Sequence, residues 1–204
     1  MLKILVLFIL FTQLVLGDNN SEKTDDKINQ YYSGKFGFYS PSKELNNGLI
    51  YGIDGITEFK KLNFFLSGSI DLYTKKTFDI FSEPKPKIMD QAILVLPIHA
   101  NIAYKLFEIP DAVTKFYVGM GGGYYFHFYA VQYRESGGIF GGVFDKTSNQ
   151  NGGNIFFTVA GRVLIGKIFI EPRFYFAKAT NGKVDDYSYK IDPSGFAITL
   201  GFQY

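Results

Sequence analysis

The eleven residues from Ser194 to Tyr204 alternate without interruption. Phe196, Ile198, Leu200, Phe202 and Tyr204 are large and apolar, while Gly195, Ala197, Thr199, Gly201 and Gln203 are small or polar. A two-residue period places the first set on one face of a β-strand and the second on the other. In water, a wide aromatic strand face at the end of a chain would invite aggregation. The same face suits the last strand of a barrel whose outside touches lipid.

The N-terminus points the same way. Lys3 supplies a positive region, Ile4 to Leu16 is apolar except for Thr12 and Gln13, and Val15-Leu16-Gly17 fits a cleavage site before Asp18. The apolar run of about 13 residues is short of the ~20 that a membrane helix needs, so residues 1–17 are expected to be a cleaved signal peptide. The polar stretch Asp18 to Gln30 reads as a disordered periplasmic lead-in, and the barrel is expected over 31–204. The chain has no cysteine, which excludes a lipoprotein anchor and a disulfide framework. The formal charge of +2 falls to +1 once Lys3 leaves, and no basic cluster marks a nucleic-acid partner. Aromatic residues, all Phe and Tyr, make up 18% of the chain, which fits aromatic girdles.

Eight alternating segments are expected as strands: Tyr31–Ser40, Leu49–Lys60, Leu62–Tyr73, Ala92–Lys105, Lys115–Tyr129, Ile155–Leu164, Ile168–Ala177 and Ser194–Tyr204. Each has one greasier face, and each is long enough to cross ~30 Å of hydrocarbon when tilted. Taken in order, the connections alternate between long and short: Pro41–Gly48 then Lys61, Thr74–Gln91 then Leu106–Thr114, Val131–Asn154 then Ile165-Gly166-Lys167, and last Lys178–Pro193. Outer-membrane barrels show this asymmetry. The fold class is therefore all-β: an eight-stranded antiparallel up-and-down transmembrane β-barrel preceded by a signal peptide.

Three stretches resemble the small eight-stranded outer-membrane barrel family, the OmpA/OmpX/OmpW-like group. They are Leu96-Pro97-Ile98-His99-Ala100-Asn101-Ile102-Ala103-Tyr104, Phe116-Tyr117-Val118-Gly119-Met120-Gly121-Gly122-Gly123-Tyr124, and Ile170-Glu171-Pro172-Arg173-Phe174-Tyr175 with the terminal Gly201-Phe202-Gln203-Tyr204. The resemblance covers roughly Tyr31 to Tyr204. It implies that Leu200, Phe202 and Tyr204 form the C-terminal signal read by the barrel-assembly machinery. Pro172 departs from the pattern, since proline removes a ladder donor, and a bulge is expected there.

Facing the lumen, the alternation places Asp54, Glu58, Asp71 and Glu171 with Lys35, Lys105, Arg162 and Arg173. Unpaired buried charge is costly, so an interlocked network is expected. Arg162 and Glu171 flank the tight turn and are the expected cross-strand pair. His99, Asn101 and His127 join the lumen as polar residues. Gly119-x-Gly121-Gly122-Gly123 lacks the Lys-Ser/Thr end of a phosphate loop and reads as room for bulky lumen groups. A triad of Ser67 or Ser69, His99 and Asp71 is the one catalytic alternative. Two histidines and no cysteine give no metal site. A lipocalin-like soluble barrel would place Asp54, Asp71, Arg162, Glu171 and Arg173 in a greasy interior.

The expectation is an outer-membrane barrel with a structural or surface-interaction role, no catalysis and no cofactor. Its partners would be outer-membrane lipid, the assembly machinery during insertion, and an extracellular ligand at loops 74–91 and 131–154. The alternatives are a narrow channel or carrier for small or hydrophobic solutes, and a lipid-modifying enzyme.

Overall fold

The computed structural model describes residues 28–42, 45–76, 88–136, 143–184 and 187–204. The expected signal peptide and residues 18–27 of the lead-in lie outside them. Ten strands follow in order: β1 (Ile28–Pro41), β2 (Gly48–Phe59), β3 (Phe64–Lys76), β4 (Ile88–Ile109), β5 (Thr114–Ser136), β6 (Val143–Ile165), β7 (Ile168–Ala177), β8 (Thr180–Val184), β9 (Tyr187–Ile191) and β10 (Gly195–Gln203). Eight of them close a barrel in the order β1-β10-β7-β6-β5-β4-β3-β2. Neighbours in that ring pair antiparallel. Closure joins the first strand to the last: Phe36 lies opposite Leu200, and Tyr32 and Tyr204 exchange backbone bonds of 3.0 and 2.9 Å. Closure leaves the eight-stranded ring without an open edge, the only way a sheet can cross a bilayer.

Short turns gather at one end. Lys60–Leu62 and Pro110–Ala112 are single 3-10 turns, and Gly166 takes a left-handed φ of 60° between β6 and β7, which glycine adopts without steric cost. The other end carries the long connections, and here the structure departs from expectation. Most of 131–154 is strand, not loop: β5 and β6 run on as a ribbon as far as Ser136 opposite Val143. Likewise, Thr74–Lys76 belong to β3 and residues 88–91 to β4, leaving 77–87 outside the described residues. The loop expected over Lys178–Pro193 holds the hairpin β8–β9, paired from Thr180–Ile191 to Val184–Tyr187. Residues 28–30 of the expected lead-in begin β1, where Ile28 pairs with Phe59.

Pro172 causes a gap and no bulge. Ala160 pairs with Arg173 and Val163 with Ile170, so the register is the same on both sides of the unbridged Gly161/Pro172 and Arg162/Glu171 positions. Pro97 does the same to the β3–β4 ladder, unbridged between Ile70–Ile98 and Tyr73–Val95. A missing N–H removes a bond, but the flanking pairs hold the strands in step.

The exterior is sorted by depth. Near the turn end stand Tyr32, Phe59, Phe64, Tyr104, Phe107, Phe116 and Tyr204, with Phe59–Phe64 and Phe107–Phe116 stacked at 4.8 and 4.2 Å. Aliphatic side chains fill the middle, among them Ile53, Val118, Met120, Val159 and Ile198. Near the loop end come Phe38, Tyr51, Phe128, Phe157, Phe174, Phe176 and Phe196. On β6 the outward apolar run extends from Ile165 to Ile155 before Asn151 and Asn149. Those residues, at ~3.3 Å each and tilted by ~40°, form a band about 25 Å tall. That is the height of the lipid-facing band of a transmembrane barrel.

Candidate functional site

The lumen is built in three layers. The layer at the turn end is apolar: Ile56, Phe65, Ala103, Tyr117, Leu164 and Phe169 pack together. Beside them Glu58 accepts hydrogen bonds from the Tyr31 and Tyr117 hydroxyls at 3.0 and 3.2 Å, and the Lys115 ammonium lies 3.7 Å away.

Above this lies the ionic layer. Lys35 Nζ reaches Asp54 Oδ1 at 2.7 Å and Asp71 Oδ1 at 3.0 Å. The Arg162 guanidinium donates through Nε to Glu171 Oε2 at 2.7 Å and through an Nη to Asp54 Oδ2 at 2.9 Å. Its cation also sits over the Phe169 ring, 4.2 Å from the centroid. Arg173 donates to Glu171 Oε1 from Nε at 3.1 Å and from an Nη at 2.6 Å. Its other Nη faces the His99 ring, 2.9 and 3.0 Å from the two nitrogens. His99 Nε2 lies 3.0 Å from Asp71 Oδ2, which also accepts from the Tyr175 hydroxyl at 2.8 Å. Ser33 completes the shell of Asp54 at 3.0 Å. Three carboxylates and three cations thus neutralise one another, all with side chains almost fully buried.

Glycines create the space for this layer. A Cβ at Gly52 would overlap Asp71 and Lys35, one at Gly121 would overlap Asn101, one at Gly123 would overlap His99, and one at Gly201 would meet the Phe169 ring. The glycines of β5 therefore stand where the side chains of β4 lean across.

A second apolar layer closes the loop end. Tyr39, Ile50, Tyr73, Ile93, Val95, Tyr125, Tyr129, Phe156 and Tyr175 cluster there. The hairpin contributes Tyr189 and Ile191 to it, the latter fully buried. Tyr39 meets Tyr73 and Tyr175 edge to face at 5.1 and 5.4 Å, and its hydroxyl donates to the Pro193 carbonyl. Tyr125 donates to the Lys178 carbonyl at 2.7 Å, tying the start of the hairpin to the barrel. Two cavities within the ionic and turn-end layers measure about 20 and 10 Å³, room for about one water at most in each.

Buried charge inside and an exposed apolar band outside invert the order of a water-soluble protein. The chain is an eight-stranded transmembrane β-barrel. Among solved structures, the barrel is similar to Ail, the attachment invasion locus protein of Yersinia pestis, in complex with the heparin analogue sucrose octasulfate. Identity is 11% over 89% of this chain and 100% of that one, with a TM-score of 0.46. Neisserial surface protein A is similar at 14% identity, covering 87% of this chain and 98% of that one, TM-score 0.46. The N-terminal β-barrel domain of Pseudomonas aeruginosa OprF is similar at 12%, over 86% and 98%, TM-score 0.36. No family model and no curated protein matches the chain.

The barrel brings together seven of the eight charged residues expected in its lumen: Lys35, Asp54, Asp71, Arg162, Glu171 and Arg173 in the ionic layer, and Glu58 below it. Arg162 and Glu171 pair as expected. Lys105 does not join. It lies beside the register shift between Lys105 and Phe107, near the turn end, and its ammonium pairs with exposed Glu108 at 2.9 Å. Asn101 is in the ionic layer, donating to Ser67 and Ser69 hydroxyls at 3.1 and 3.3 Å. The triad expected as the catalytic alternative is therefore half assembled: Asp71 holds His99, but Asn101 takes both serines. His127 is buried in the loop-end layer, away from the ions, between Tyr125 and Tyr189 at 6.2 and 6.3 Å. Leu200, Phe202 and Tyr204 all face outward. Parity also places Tyr175 and Thr158 on the lumen face, where the Thr158 hydroxyl donates to Asn101 Oδ1 at 3.2 Å; Lys115 and the two apolar layers were not expected.

Proposed function

We propose that this barrel lies in a bacterial outer membrane and has a structural or surface-interaction role, with a closed lumen and no catalysis. One observation carries the reading: a charge-neutral ionic layer is sealed between two apolar layers, with lumen cavities of about 20 and 10 Å³. Eight strands leave an interior that side chains just fill, and here they fill it. A hydrated ion or sugar has no space beside Arg162 and Phe169. Catalysis is disfavoured by the same closure, since Asp71, Asn101 and Arg173 occupy both His99 nitrogens.

The short-turn end faces the periplasm and the long-connection end faces outward in this reading. The β4–β5–β6 extension then stands beyond the membrane as a paired ribbon, and it is the surface offered to an extracellular ligand. Lipid contacts the band from Ile155 to Ile165, and the assembly machinery acts during insertion. The test is conductance of the refolded protein in planar bilayers, after heat-modifiable gel migration has confirmed folding. A silent bilayer is expected. Discrete openings by folded protein would refute the closed lumen. Lipid A mass spectra from cells with and without the protein should be identical, and a changed acylation pattern would refute the absence of catalysis.

A further inference from the structure

A groove of about 820 Å³ lies near the loop end of the barrel, where the lipid-facing band gives way to polar residues. Pockets of this size hold lipid-sized or drug-sized ligands. Strand register explains its shape. One row runs Leu49, Thr74, Leu94, Phe128 and Asn151 across β2 to β6, each opposite the next. The row beyond it runs Lys76, Ala92, Ala130 and Asn149. Two alanines side by side leave a hollow, with an ammonium on one wall and amides on the other.

The chemistry of the lining is divided. Toward the barrel's middle it is apolar and continuous with the band, with Leu49, Tyr51 and Phe128 all about half exposed. Toward the loop end Lys76, Asn149 and Asn151 line it, and among the described residues no acid does. Lys75, one residue before Lys76, leaves the other face of the sheet, where it donates to the Asn47 carbonyl at 2.9 Å, so Lys76 is the groove's cation. Lys76 and Asn149 are three strands apart, or about 14 Å at ~4.8 Å per strand.

We propose that this groove binds an anionic lipid of the outward-facing leaflet. Its phosphate-bearing headgroup lies over Ala92 and Ala130, between Lys76 and the Asn149 and Asn151 amides, and its acyl chains run down over Leu94, Phe128, Leu49 and Tyr51. Charge complementarity selects a phosphate, and the apolar floor selects a lipid over a free anion. The inference rests on the membrane reading above and adds a headgroup preference at one place on the perimeter.

The test uses the full mature barrel in nanodiscs of equal phosphatidylglycerol and phosphatidylcholine, released for native mass spectrometry. Retained adducts are expected to favour phosphatidylglycerol. Lys76→Ala should cut that preference about fivefold, the ~1 kcal/mol that one lysine contributes at a membrane surface. Ala92→Phe, which fills the hollow, should reduce adducts of both lipids. Gel migration confirms that each variant folds. Equal retention of the two lipids by the native protein, or an unchanged preference in Lys76→Ala, overturns the proposal. Displacement of phosphatidylglycerol by millimolar inorganic phosphate overturns it in favour of a free-anion site. Failure of the native protein to insert is a different result: it overturns the membrane reading and this inference together.

Discussion

Glu171→Gln is the most incisive single change. The native carboxylate accepts from Arg162 at 2.7 and 2.6 Å and from Arg173 at 3.1 and 2.6 Å. Glutamine keeps the shape and removes the charge, leaving Lys35, Arg162 and Arg173 against only Asp54 and Asp71. Removing one partner of a buried, hydrogen-bonded pair typically costs about 3–5 kcal/mol. The native barrel should therefore lose about that much stability, since the uncompensated cation cannot reach water through the apolar layers. Arg162→Gln should cost a similar amount, because it leaves one carboxylate in excess and empties the space over Phe169. The double variant restores neutrality, and its cost should fall short of the sum by about 2 kcal/mol or more. Lys105→Ala is the control: its partner Glu108 is exposed, and such pairs contribute at most ~1 kcal/mol. The assay is urea unfolding of the refolded barrel in vesicles, followed by gel mobility. A Glu171→Gln cost as small as that of Lys105→Ala, or strict additivity of the two single changes, would refute a sealed, coupled network.

Three further outcomes follow from the same geometry. Ile53 is 61% exposed in the middle of the band, so Ile53→Arg should destabilise the vesicle-embedded barrel by about 2–4 kcal/mol; no cost in urea titration would mean that this face does not meet lipid. Ile191 anchors the β8–β9 hairpin, and Ile191→Asp should free it, so that trypsin cuts at Lys183 or Lys190 while the barrel core persists; unchanged resistance would show that the hairpin does not depend on that contact. Replacing the six ionic-layer residues together by apolar residues of similar volume should leave stability equal or higher yet give several folded species by native gel; a single species would show that the charges do not set the register.

The period-two pattern made the strands legible, because one face of each meets lipid and the other the lumen. Parity alone placed Lys35, Asp54, Asp71 and Arg173 correctly. Arg162 and Glu171 were legible as a pair because the turn at Gly166 fixes their register. Lys105 has the right parity and the wrong neighbourhood, since the adjacent shift at Phe107 and its depth near the turn end are tertiary facts. Ser148 to Asn154 reads as loop by composition, and it is strand because Tyr125 to Val131 supply a paired backbone that overrides weak propensity. That the inward tyrosines pack into two apolar layers was hidden, because tyrosine also builds girdles. Its one signal was parity: Tyr117, Tyr125 and Tyr129 share the face of Gly119, Gly121, Gly123 and His127.

The two apolar layers and the ionic layer explain each other. An apolar filling alone would stabilise the barrel at least as well, since exchanging a buried ion set for well-packed hydrophobic residues is often neutral or favourable. What the ions add is discrimination. Lys35 lies on β1, Asp54 on β2, Asp71 on β3, His99 on β4, Arg162 on β6, and Glu171 and Arg173 on β7. β5 contributes the glycines that make room for them. A slip of one residue in any of these strands would turn its charge toward lipid and strand its partners inside. Apolar side chains would penalise that slip weakly, because lipid and a greasy lumen are similar solvents. In a membrane, where alternation alone cannot tell inside from outside by hydrophobicity once both are apolar, a sealed set of matched charges makes one register much lower in free energy than its neighbours. The gaps at Pro97 and Pro172, where ladder bonds are missing beside Asp71 and Glu171, are the places where backbone pairing helps least, and there the side-chain network adds to the flanking pairs that keep the strands in step.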